Sequence, residues 1–161
     1  MITDLLLRHA ALVPVLLAAV ALASAAFGLA LADRGRRPLA VVLGLSVAGM
    51  LLLTLWPAST GRGVSSCAVQ FSVPAFGSVE LLANIALFIP IGCFASLLTG
   101  HPLASLVAAS LASVAVEGLQ AALPAIGRAC DTNDWAMNTA GAALGVAIAG
   151  VARLARRRTV A

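Results

Sequence analysis

The sequence predicts an all-α fold: a polytopic bundle of about five transmembrane helices, amino terminus outside and carboxyl terminus in the cytoplasm. Three observations predict it. Hydrophobic residues make up 61% of the 161 residues and charged residues only 10%, where a soluble domain carries about a quarter charged. The apolar residues fall into five continuous runs, each close to the roughly 20 helical residues that cross about 30 Å of hydrocarbon. The basic residues, all arginine, cluster between alternate runs, and that bias sets orientation.

The runs cover residues 12–32, 39–56, 80–99, 103–123 and 135–152, within one membrane domain spanning 1–161. Turn chemistry interrupts them: Asp33-Arg34-Gly35-Arg36-Arg37-Pro38, the segment 57–79, Gly100-His101-Pro102 and the segment 124–134. The runs are rich in Leu and Ala and do not alternate, which excludes a membrane β-barrel. The first run resembles a secretory signal in carrying Ala23-Ser24-Ala25. A signal needs a positive amino end, and here Asp4 offsets Arg8 while the arginines follow the run, so it reads as a retained helix.

With the amino terminus outside, Arg34, Arg36, Arg37, Arg153, Arg156, Arg157 and Arg158 face the cytoplasm, and only Arg8, Arg62 and Arg128 lie outside. Trp56 and Trp135 then both fall at the outer water–lipid boundary, where indoles concentrate. The segment 57–79 is the one long connection. Its Phe71, Val73 and Phe76 suit a stretch lying flat in the outer interface; a disordered loop is the alternative.

Polar residues inside spans are costly, so their placement is informative. Glu80 and Asn84 share a face of the third span, Glu117 and Gln120 share one of the fourth, and Arg128, Asp131, Asp134 and Asn138 precede or open the fifth. Glu117 lies six residues before Leu123, about 9 Å below the outer boundary at 1.5 Å per residue. All these groups are expected in the outer half of the membrane, on three helices converging at one level.

Structural readings stand beside the functional one. Asn84 and Gln120 can simply bond a neighbouring helix, a contribution of about 0.6 kcal/mol each. Glu117 at that depth must pair, meet water or take a proton, and Arg128 is its candidate structural partner. Asp131 or Asp134 suits the N-cap of the last helix, and Glu80 suits a first turn. Gly141 and Gly145 form a small-xxx-small pair that permits close helix contact. Pro90 is expected to bend the third helix and free the Ala86 carbonyl. Cys67 and Cys130 are both extracytoplasmic in this topology, so a disulfide between them is possible; Cys93 is a small apolar residue within a span.

No Ser-His-Asp set, zinc spacing, phosphate loop or dinucleotide fingerprint is present. No metal or cofactor is assigned, although the acids suit a hard cation as well as a cationic or hydroxyl-rich head group, with Arg128 available to a phosphate. Nucleic acid is not an expected partner: with 4% aromatics and no Tyr the chain lacks a base-stacking surface.

The order Glu117-x-x-Gln120, then Arg128-x-x-Asp131-x-x-Asp134-x-x-x-Asn138-x-x-Gly141-x-x-x-Gly145, resembles the signature of VanZ-like membrane proteins. Asn84 followed by Phe88-Ile89-Pro90-Ile91-Gly92 is similar to that family's other motif. The resemblance covers about residues 70–150, leaves the first two spans generic, and departs from the pattern at Cys130. It implies an association with cell-envelope function and with resistance to teicoplanin, a lipid-anchored glycopeptide that acts outside the membrane.

The expected function is therefore a multi-pass plasma-membrane protein with an outer-leaflet pocket. Its expected partners are membrane lipids, a lipid-linked cell-wall intermediate or a lipoglycopeptide. The candidate binding residues are Glu80, Asn84, Glu117, Gln120, Arg128, Asp131, Asp134 and Asn138. Two alternatives are an enzyme that modifies an envelope lipid or glycan with Glu117 and Asp134 as acid and base, and an ion-coupled carrier titrating at Glu117.

Overall fold

A computed structural model describes residues 9–32, 34–57, 67–73 and 78–160. Arg8, Arg62 and Asp4, which enter the orientation reading, lie outside the described residues, as do Asp33 and Phe76. Among the described residues five α-helices form the bundle: α1 (Val13–Leu31), α2 (Arg36–Leu55), α3 (Val79–Thr99), α4 (Pro102–Ala122) and α5 (Thr132–Val160). Each is long and apolar enough to cross a membrane.

Helix ends follow local chemistry. α2 begins at Arg36, ahead of the predicted span, and takes Pro38 into its first turn, where a missing N–H loses no intrahelical bond. α4 likewise starts on Pro102. Between them α3 ends on Gly100 at φ 79°, a left-handed position that suits glycine. α5 starts three residues before the predicted span, because Asp131 Oδ1 accepts the Asn133 N–H at 2.8 Å and caps it. It then runs through the arginine tract, where positive charge complements the helix dipole.

α3 is the centre of the bundle. It contributes Ile85 and Ile89 to one apolar cluster with Val13 of α1 and Met137 of α5. It contributes Phe88 and Ile91 to a second with Met50 of α2, Ala109 and Val116 of α4, and Ala142 of α5. Lipid is as apolar as these side chains, so helix association rests on close packing and hydrogen bonds. The α3–α5 crossing achieves this through backbone contact. A Cβ on Gly92 would run into the Ala142 carbonyl, and one on Gly141 or Gly145 into the carbonyls of Ile85 or Ile89. Pro90 sits inside α3, which continues through it to Thr99.

The segment before α3 carries a structure that span counting does not foresee. Cys67–Ala68 (β1) pairs in parallel with Cys130–Asp131 (β2), in the register Cys67 to Cys130 and Ala68 to Asp131. The two cysteines are joined as a disulfide, and Cys93 is free and buried.

Candidate functional site

The element order places the end of α2, the start of α3, the end of α4 and the start of α5 at one end of the bundle. A cleft of about 330 Å³ opens there, lined by Leu53, Thr54, Val79, Glu80, Ala83, Asn84, Leu87, Gln120, Arg128, Ala129 and Asp134. Five of the sequence-derived candidates share this wall: Glu80, Asn84, Gln120, Arg128 and Asp134.

Four of the five are held by specific bonds. Asn84 Nδ2 donates to Asp134 Oδ1 at 2.6 Å, joining α3 to α5. Gln120, only 5% exposed, donates its amide N–H to the Thr54 carbonyl at 3.0 Å. Arg128 donates from Nη2 to the Leu53 carbonyl at 3.1 Å and from Nε to the Trp56 carbonyl at 3.4 Å. These acceptors are among the last carbonyls of α2, which have no partner within their own helix. A guanidinium placed there both satisfies them and meets the negative end of the helix dipole. Glu80, in the first turn of α3, is exposed.

The other three candidates lie outside the cleft wall. Glu117 is buried, and its Oε2 accepts the Asp131 backbone N–H at 2.9 Å. The Glu117–Arg128 pair read as a structural alternative is replaced by these separate partners. Asp131 caps α5 with one oxygen and receives the Gln70 side-chain amide with the other, at 2.5 Å. Asn138 is 2% exposed; its Nδ2 donates to Ser113 Oγ at 2.9 Å, and its Oδ1 is buried with no hydrogen-bond partner. Trp135 donates its indole N–H to Ser110 Oγ at 3.0 Å. Its polar edge is thus bonded to the neighbouring helix α4. Trp56, by contrast, is 61% exposed.

Sequence reasoning missed the contribution of α2, whose span looked generic. Leu53 and Thr54 line the cleft, and the carbonyls of Leu53, Thr54 and Trp56 hold Arg128 and Gln120 beside it. Peptide carbonyls carry no side-chain signature, so only the arginine and glutamine that seek them were visible. Residues 68–73 were also missed as a packing element: Gln70 and Ser72 bond the first turn of α5 through Thr132 and Asn133.

Chemically the cleft offers carboxylates, amides and one guanidinium, with Leu53, Ala83 and Leu87 among its apolar wall residues. Among the described residues, no group of three or more His, Cys, Asp or Glu side chains is arranged to hold a metal ion.

The comparisons agree with this geometry in extent. A family model, VanZ-LLP1 (VanZ/LLP1), matches residues 39–153. No curated protein and no solved structure matches the chain. The matched stretch begins in the first turns of α2, so it takes in the Thr54 rim as well as every polar residue of the cleft. With well over half its length covered, the chain belongs to the VanZ-like family.

Proposed function

We propose that this protein binds a lipid-linked component of the cell envelope, with the polar head group in the cleft lined by Glu80, Asn84, Gln120, Arg128 and Asp134. The cleft faces the outside of the plasma membrane: the arginines of the α2 amino end and of the α5 carboxyl end lie at the opposite end of the bundle, which the positive-inside bias assigns to the cytoplasm. A lipid-linked wall intermediate or a lipoglycopeptide would be met on that side. An association with glycopeptide resistance follows as part of the same proposal.

The single observation that carries this reading is the composition of one cavity. Charged and amide groups from three helices and a loop line a space that also has leucine and alanine walls. Ligand sites are concave and mostly apolar with a few placed polar groups. The acid–base alternative, with Glu117 and Asp134 acting together, has less support, because Glu117 does not line the cleft and its carboxylate holds the Asp131 N–H.

Native mass spectrometry of the purified protein tests the proposal. The expected result is a retained lipid of one head-group class, lost on Asp134→Ala and on Arg128→Gln. Retention of bulk lipids alone, unchanged by either substitution, would overturn it.

A further inference from the structure

We infer that the disulfide-tethered segment 67–73 is a membrane-interface element, seating Val69, Phe71 and Val73 in the lipid head-group region beside the cleft. The tethers of the segment come from alternate residues. The Gln70 N–H donates to Thr132 Oγ1 and the Ser72 N–H to Asn133 Oδ1, each at 3.0 Å. Thr132 Oγ1 lies 2.9 Å from the Gln70 carbonyl as well, and the Gln70 side chain reaches Asp131. Neighbours in an extended chain point to opposite sides. Val69, Phe71 and Val73 alternate with these tethered residues and are 79%, 68% and 89% exposed.

Three features identify lipid as what covers this row. The segment is fixed in height, because every tether runs to residues 130–133, where the membrane-crossing helix α5 begins. It carries no charged residue (Cys-Ala-Val-Gln-Phe-Ser-Val), so nothing in it resists leaving water. The row also lies at the bundle end where lipid-facing side chains are already exposed: Leu119 and Leu123 at the close of α4 and Trp56 at the close of α2, at 44%, 48% and 61%. Apolar side chains on an uncharged strip at this level suit the head-group boundary, as for amphipathic elements lying in the membrane plane. Asp131, bonded to this segment, also supplies the N–H that holds Glu117. Seating the row in lipid therefore steadies the loop beside the cleft, whatever the cleft binds.

An indole introduced at the row reports its surroundings directly. Phe71→Trp would be made in a Trp56→Phe background, leaving Trp135 as a constant signal, and reconstituted in nanodiscs with the Cys67–Cys130 bridge verified. The expected result is blue-shifted added emission that loses most of its intensity when the lipids carry bromine near the head-group end of the acyl chains, and that resists aqueous iodide. Emission at the position of a water-exposed indole, quenched by iodide and indifferent to brominated lipid, would overturn the inference. Resistance to both quenchers would overturn it too, by pointing to a protein partner. Val73→Trp in the same background gives a second reading should Phe71→Trp not fold.

Discussion

Asn84 and Asp134, fifty residues apart in the chain, meet across the α3–α5 crossing with amide nitrogen and carboxylate oxygen 2.6 Å apart. The bond sits on the wall of the cleft, so one contact both joins the two central helices and orients a carboxylate toward the cavity. A double-mutant cycle of Asn84→Ala and Asp134→Ala, followed by thermal unfolding in detergent, should give a coupling energy of about 0.6–1.7 kcal/mol, the range of interhelical hydrogen bonds in membranes.

The glycines below that bond set how closely α3 and α5 approach. Gly141→Ala would drive a methyl into the Ile85 carbonyl. Overpacking of this kind costs about 1–3 kcal/mol, and the melting temperature should fall accordingly. Gly118→Ala, at an exposed position with open space around it, should leave the melt unchanged.

Glu117 acts on the backbone of the loop. In Glu117→Gln a side-chain carbonyl remains to accept the Asp131 N–H, so fold and melt should be retained. In Glu117→Leu that half-buried N–H loses its acceptor, which costs about 1–3 kcal/mol. Equal melts for the two variants would show that the bond contributes nothing.

The Cys67–Cys130 bridge closes a stretch of 63 residues that includes all of α3. Removing it with paired Cys→Ser substitutions should cost about 2–4 kcal/mol. The loss should be concentrated in faster hydrogen exchange at 67–73 and at the start of α5, with α1 unaffected.

Orientation has its own check. Single cysteines replacing Ser59 and Arg157, in a background lacking the native three, would be labelled with an impermeant thiol reagent on intact cells. Position 59 should label and position 157 should not; the reverse would turn the proposed topology over.

Much of this arrangement is legible in the chain because hydrocarbon makes polar residues conspicuous. Asn84, Asp134 and Gln120 stand out against leucine and alanine, and helical spacing puts them at one level. Two things resist such reading. Gln120 and Glu117, three residues apart, differ by about 60° around a helix, enough to send Gln120 to α2 and Glu117 to Asp131. The α2 rim is built from carbonyls, which every residue has, so the span reads as generic. Trp135 shows the converse: its position suits an interfacial indole, but Ser110 on the neighbouring helix takes the N–H.

The central claim, that the cleft holds an envelope lipid by its head, is met most directly by photo-crosslinking in living cells. A photoreactive residue would replace Ala83 on the cleft wall, or Val107 on the outer face of α4. Adducts at position 83 should carry one lipid-linked species absent from position 107, and should disappear with Asp134→Ala. Identical adducts at both positions, unaffected by that substitution, would contradict the account.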